Sequence, residues 1–99
     1  MSPLLVNYMS LPNEVRINCE SSWDNVVIEL GSFPLSLNKI DIIVNVYQQA
    51  IEILHSLNLV YRPQYWGEPA AILSVRESFE ASCCAHYYLN TISTNCRCL

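Results

Sequence analysis

Side chains that could bind a metal ion are concentrated late in the chain. Cys83, Cys84, His86, Cys96 and Cys98 fall within sixteen residues. Thiolates and imidazoles are the ligands that zinc prefers in a closed tetrahedral site. The paired C-x₂-C spacing of known zinc motifs is absent, however, and free cysteine often behaves as a small buried hydrophobic residue. A zinc site formed by Cys83, His86, Cys96 and Cys98 is therefore an alternative interpretation and not the leading one.

The same residues could instead supply a thiol nucleophile. A cysteine close to a histidine can be held as the reactive thiolate, and both His55 and His86 are candidates for that histidine. The sequence shows no orienting carboxylate and no oxyanion-type loop, and its two glycines leave little material for a pocket lined by backbone. We therefore expect a protein that is not an enzyme and that needs no cofactor.

The last four residues, CRCL, place Cys96 where a prenylation motif has its cysteine. An arginine occupies a position where that motif has an aliphatic residue, and no polybasic segment precedes it. An ordinary tail explains these residues better than a lipid anchor does.

A second group of residues with a candidate role is the segment YRPQYWGEP, residues 61–69. Its two prolines and its glycine disfavour a helix, while tyrosine, tryptophan and arginine are the residues that dominate the energetics of protein contact sites. We predict that Tyr61, Arg62, Tyr65 and Trp66 contact a partner. The alternative is that the three aromatic rings close one end of the protein's own core, because the same amphipathic rings serve both purposes.

Composition also favours a contact role. The 99 residues suffice for a single domain, and 52% of them are hydrophobic while only 14% are charged. Ordinary soluble domains carry about 25% charged residues, and a chain of this size buries only about 60–65% of the surface that its unfolded form exposes. Some apolar side chains should therefore be left on the surface, so we expect either a partner protein or a homo-oligomer.

Charge argues against nucleic acid as a ligand. The net charge is −4, and the five basic residues are scattered along the chain. Phosphate binding needs clustered cations, whereas an acidic surface attracts a basic one. The sequence has no apolar run long enough to span a membrane and no signal peptide, so we predict a cytoplasmic protein with reduced thiols.

Alternating residues predict strands in the first third of the chain. In EVRINCE, residues 14–20, Val15, Ile17 and Cys19 alternate with polar side chains, which is typical of a half-buried strand. Residues 25–33, NVVIELGSF, predict a second strand that ends near Gly31, with turn-forming residues between the two. Residues 4–8 could add a third strand, so all predicted strands lie within residues 4–31.

Helical periodicity dominates the rest. Asn38 predicts a helix N-cap, and apolar residues from Ile40 to Leu57 recur at helical spacing as one predicted buried stripe of a helix over 39–58 that ends at Asn58. The aromatic linker covers 59–68. A second helix is predicted over 69–92, with Pro69 in its first turn and a possible exposed ion pair between Arg76 and Glu80. Residues 93–99 form the tail.

Together these elements predict an α+β fold, in which a small antiparallel β-hairpin or three-stranded sheet is followed by two packed α-helices. The predicted function is that of a small acidic protein–protein interaction module. Accessory, adaptor or inhibitor proteins of phages and viruses, and subunits of larger assemblies, are of this kind. The alternative is a small zinc-binding or thiol-dependent protein that uses the late cysteines and histidine.

Overall fold

Three long α-helices and one pair of short strands make up the described part of this computed structural model, which comprises residues 2–31, 34–64 and 75–95. Their order is β1 (Leu4–Val6), a 3₁₀ turn (Tyr8–Ser10), α1 (Asn13–Leu30), α2 (Leu37–Ser56), β2 (Leu59–Tyr61) and α3 (Val75–Asn95). The described chain is therefore mostly helical.

The predicted antiparallel hairpin is wrong, because residues 14–20 and most of residues 25–33 lie on α1. The apolar side chains that α1 half-buries recur every three or four residues, at Val15, Cys19, Trp23, Val26 and Leu30. Ile17, which the strand interpretation buried beside Val15 and Cys19, is 66% exposed. The alternation in EVRINCE thus covers only a few residues, and the helical spacing over the whole of α1 determines the structure.

The sheet also differs from the predicted one, because its two strands are parallel. Leu4 pairs with Leu59 and Val6 pairs with Tyr61, and no further strand is found in the described residues. Parallel strands need a long crossover, and here α1 and α2 supply it. The strand predicted over 4–8 corresponds to β1, whereas β2 lies within the segment predicted to be an aromatic linker.

The predicted helix over 39–58 corresponds to α2, although it begins earlier. Ser36 is the N-cap in place of the predicted Asn38, since its hydroxyl accepts a hydrogen bond from the Lys39 amide at 3.3 Å. At the other end, Asn58 has a φ of +61°, a left-handed conformation that asparagine tolerates better than most residues. This residue turns the chain out of α2 and into β2.

The predicted helix over 69–92 overlaps α3. Residues 69–74 lie outside the described residues, and the helix continues to Asn95, so that residues 93–95 of the predicted tail are helical. The remaining tail, residues 96–99, also lies outside the described part of the chain.

The hydrophobic core lies between α2, α3 and the two strands. Small residues on α3, namely Ala81, Cys84 and Ala85, are buried and let α2 approach closely, and Leu54 of α2 is fully buried there. By contrast, α1 has no fully buried residue and contacts α3 through its half-buried side chains. Among the described residues, no helix has both the length and the apolar character required to cross a bilayer.

Candidate functional site

The predicted contact residues occupy different environments. Tyr61 is buried in the core, where its hydroxyl donates a hydrogen bond to Glu77 and its ring packs edge-on against Tyr47, with 6.2 Å between ring centroids. Burial, together with Glu77, raises the pKa of Tyr61, so its hydroxyl stays protonated. Arg62 is exposed, and its backbone amide donates to the Val6 carbonyl at 2.8 Å. Tyr65 and Trp66 lie outside the described residues.

The residues predicted as zinc ligands are described only in part. Cys83 and His86 lie on α3, three residues apart, and both line one groove between α1 and α3. Cys96 and Cys98 lie outside the described residues. Within residues 2–31, 34–64 and 75–95, no three His, Cys, Asp or Glu side chains are arranged to hold a metal ion. The zinc site stays a prediction that depends on the last residues of the chain.

Zinc analysis tests that site directly. We expect protein purified without added metal to contain no stoichiometric zinc, because the sequence lacks the paired C-x₂-C spacing of known zinc motifs. The measurement is elemental analysis of the purified protein, with a Cys83→Ser variant as the control. About one zinc ion per chain that disappears in this variant would contradict the expectation and support the zinc-binding alternative.

An ion-pair network joins α1 to α3 around Arg76. Its Nε atom lies 2.8 Å from Glu80 Oε2, and its guanidinium also pairs with Glu20 of α1. The same guanidinium lies over the rings of Trp23 and Phe79, 5.0 and 5.5 Å from their centroids. The predicted pair of Arg76 and Glu80 is thus present, but the Glu80 side chain is only 3% exposed.

The pKa values of the two glutamates in this network are shifted in opposite directions. The guanidinium of Arg76 and the hydroxyl of Tyr8 hold the pKa of Glu20 below its ordinary value. Burial raises the pKa of Glu80, and Arg76 offsets part of that rise. Glu80 Oε1 is buried without a hydrogen-bond partner among the described residues. Because Arg76 of α3 is paired with Glu20 of α1, the network stabilises the contact between α1 and α3.

A group of exposed apolar side chains lies where α1 ends and α2 begins. On α2, Leu37 is 79% and Ile42 is 62% exposed, and Ile40 and Val46 are exposed as well. With about 3.6 residues per turn, Ile40 continues the inward-facing stripe of α2 beyond the core. Leu37 lies on one side of that stripe, and Ile42 and Val46 lie on the other. Val27 and Ile28 are exposed on the last turns of α1. These six residues surround the two helix ends on more than one side, and they are together called the apolar surface below.

The two parts of the apolar surface are held together at the helix ends. The Lys39 Nζ atom of α2 donates a hydrogen bond to the Leu30 carbonyl of α1 at 2.6 Å. This ties the only lysine of the chain to a helix C-terminus, where a cation is favourable. Glu29 and Asp41, which are adjacent in sequence to members of the apolar surface, are both exposed. The charged residues nearest to the surface in sequence are therefore predominantly acidic.

Sequence reasoning missed two features of these sites. It placed Cys19 on a predicted strand, whereas Cys19 lies on α1 and lines the same groove as Cys83 and His86. It also assigned Ile40 to the buried stripe of α2, whereas Ile40 is 42% exposed. The low fraction of charged residues was the one signal that apolar side chains would remain on the surface, but it did not show where.

No protein-family model, curated protein or solved structure matches the chain. Function must therefore be argued from the residues themselves.

Proposed function

We propose that this chain is a non-enzymatic interaction module that binds a partner protein through the apolar surface. The observation that supports the proposal is the exposure of four large aliphatic side chains within the first ten residues of α2, Leu37, Ile40, Ile42 and Val46. Single exposed apolar residues are common, but a concentration of them marks a contact surface in many proteins.

Charge indicates what kind of partner fits. The exposed carboxylates of Glu29 and Asp41 accompany the apolar surface, and the amine of Lys39 is engaged by the Leu30 carbonyl. Two copies placed face to face through this surface would bring carboxylates towards carboxylates, which is unfavourable. A different protein, whose apolar contact side chains are surrounded by lysine or arginine, would satisfy both the apolar and the acidic features.

The proposal also includes the sequence-based predictions on partner class, location and linker residues. The partner is a protein and not nucleic acid, because Arg76 is paired with Glu20 and Glu80 and Lys39 with a carbonyl. A cytoplasmic role as an accessory, adaptor or inhibitor protein, as in phages and viruses, belongs to the proposal by analogy alone. Arg62, Tyr65 and Trp66 remain predicted partner-binding residues. The burial of Tyr61 makes that residue more suitable for closing the protein's own core than for contact with a partner.

The double substitution Leu37→Ser/Ile42→Ser tests the proposal. Both side chains are largely exposed, so the free energy of unfolding should change by less than about 1 kcal/mol, while loss of two anchors should weaken binding at least tenfold. The measurement is quantitative capture of a protein from lysate by the immobilised full chain, followed by titration of that purified protein. The matched control is Gln48→Ser/Gln49→Ser, which changes two exposed polar residues of the same helix.

The proposal predicts that the wild type and the glutamine control capture the same protein and that the Leu37→Ser/Ile42→Ser variant does not. Binding should also weaken as salt is raised, because the acidic residues contribute to it. Equal capture by all three chains would contradict the proposal. Light scattering across concentration supplies the other decisive outcome. A wild-type dimer that becomes monomeric in the double variant would show that the apolar surface binds a second copy of this chain and not a different protein.

A further inference from the structure

Two thiols from different helices meet in the groove between α1 and α3. Cys19 of α1 and Cys83 of α3 are both free and half-buried, and both line this groove. Both residues also pack against the edge of the hydrophobic core. The two side chains therefore meet in one groove although they lie far apart in sequence.

The helix that carries Cys19 is the least firmly packed of the three. α1 buries none of its residues completely, whereas α2 and α3 share the most extensive contact of the fold. Its hold on α3 comes from half-buried side chains such as Trp23, whose ring lies 5.0 Å from that of Phe79, and from the exposed end of the Arg76 network. A covalent link between α1 and α3 would therefore restrain the helix that is held by the fewest noncovalent contacts and that opens most easily.

We propose that Cys19 and Cys83 form a reversible disulfide that fixes α1 against α3 when the protein meets a small-molecule disulfide such as oxidised glutathione. This is a modification site for thiol–disulfide exchange and is independent of the proposed partner binding. The groove has a volume of about 410 Å³ and is also lined by Ser22, Ser82 and His86, so the oxidant can reach the thiols from solvent.

The reaction proceeds by two exchanges. The thiolate of Cys19 attacks one sulfur of oxidised glutathione, which forms a mixed disulfide and releases the first glutathione thiolate. Cys83 then attacks the Cys19 sulfur and displaces the second glutathione thiolate. The two protons from the cysteines go to the two departing thiolates, and two electrons pass from the cysteines to the oxidant. The products are one protein disulfide and two reduced glutathione molecules.

The order of attack follows from the surroundings of Cys83. Burial, and next its hydrogen bond with Cys19, raise the pKa of the Cys83 thiol, so it reacts second, when the mixed disulfide already holds its target close. Cys84 is fully buried on the core side of α3, and burial raises the pKa of its thiol to about 12. Cys84 is thus the matched control, being a neighbouring cysteine that faces away from the groove.

The test is a redox titration of the full chain with reduced and oxidised glutathione, followed by alkylation, trypsin digestion without reductant and mass spectrometry. Trypsin cleaves after lysine and arginine, so Cys19 is carried by peptide 17–39, and Cys83, Cys84 and Cys96 are carried by peptide 77–97. We expect these two peptides to be joined in the wild type, in Cys84→Ser and in Cys96→Ser. The joined peptide should be absent in both Cys19→Ser and Cys83→Ser.

A thermal melt supplies a second measurement on the same samples. Oxidised wild-type protein should melt about 5–15 °C higher than reduced protein, and neither single variant of the pair should show this shift. The proposal would be overturned by a joined peptide that persists in Cys83→Ser, because the link would then use Cys84 or Cys96. Oxidation that stops at a glutathione adduct on Cys19 in folded wild-type protein would overturn it equally.

Discussion

Replacement of Leu54 by alanine is expected to lower the free energy of unfolding by about 2–5 kcal/mol. Leu54 is 0% exposed, and it lies in the core with Leu59 of β2 and Cys84 of α3. Truncation to alanine removes the buried aliphatic groups and leaves a cavity that the surrounding helices can only partly fill. Urea unfolding monitored by circular dichroism measures the change.

Leu37→Ala is the matched control for this experiment. It is the same substitution on the same helix, but Leu37 is 79% exposed, so we expect a change within about 0.5 kcal/mol. Similar losses for the two variants would contradict the placement of the core between α2 and α3. They would also contradict the assignment of Leu37 to a surface that is available for binding.

The position of Leu54 illustrates what the sequence could predict. Tyr47, Ile51, Leu54 and Leu57 recur at helical spacing, and all four contribute to the core or pack against it. The period is long, so it indicates both the helix and its buried face. It does not indicate where along the helix the neighbouring elements stop. Ile40 continues the same stripe, yet it is 42% exposed.

The predicted strands were wrong because a short window fits two periods. Val15 and Cys19 are separated by four residues, a spacing that places both on one face of a strand or of a helix. Only the position between them distinguishes the two, and Ile17 is apolar although it is exposed. The half-burial of Trp23, Val26 and Leu30 extends the helical period. That burial depends on packing against α3 and not on local propensity.

The parallel strand pair could not be predicted from local sequence patterns, for a different reason. β1 and β2 have three residues each, which is too short for a recognisable alternation, and α1 and α2 separate them in the chain. The neighbouring thiols of Cys19 and Cys83 likewise result from the packing of α1 on α3. A contact between residues that are distant in sequence produces no recognisable pattern in the local sequence around either residue.

The aromatic linker was predicted from composition, and its described part shows why composition alone was ambiguous. Tyr61 uses its ring in the core and its hydroxyl to hold the buried carboxylate of Glu77. The next residue, Arg62, is exposed. A core role and a surface role can thus occur at successive positions, since neighbouring side chains of an extended segment point in opposite directions.

Replacement of Arg76 by alanine is expected to destabilise the protein by about 3–5 kcal/mol at pH 7. Removal of the guanidinium leaves the carboxylate of Glu80, a residue only 2% exposed, buried without its cation. Loss of one partner of a buried ion pair costs this much because the other charge remains desolvated. The variant also loses the contacts of the guanidinium with the rings of Trp23 and Phe79.

The loss should be smaller at pH 4.5 than at pH 7. Burial raises the pKa of Glu80 in the folded protein, and without Arg76, which lowers it, this pKa should rise further. A carboxyl whose pKa is higher in the folded state than in the unfolded state reduces stability as the pH rises between the two values. Glu20 adds a smaller part of the difference, since Arg76 lowers its pKa and the stability gained from that pairing is fully present above the ordinary pKa of a glutamate and declines as the pH falls below it.

Two further variants separate the buried charge from the other roles of Arg76. Arg76→Ala/Glu80→Gln removes the unpaired charge, so it should recover much of the stability lost in Arg76→Ala and should lose the dependence on pH that Glu80 causes. Glu20→Gln should cost no more than about 1 kcal/mol, because the side chain of Glu20 is 52% exposed. Unfolding curves at pH 4.5 and pH 7 provide all of these comparisons. Equal losses for Arg76→Ala at both pH values, with no recovery in the double variant, would mean that Arg76 stabilises the contact between α1 and α3 through its aromatic contacts and not through the buried ion pair.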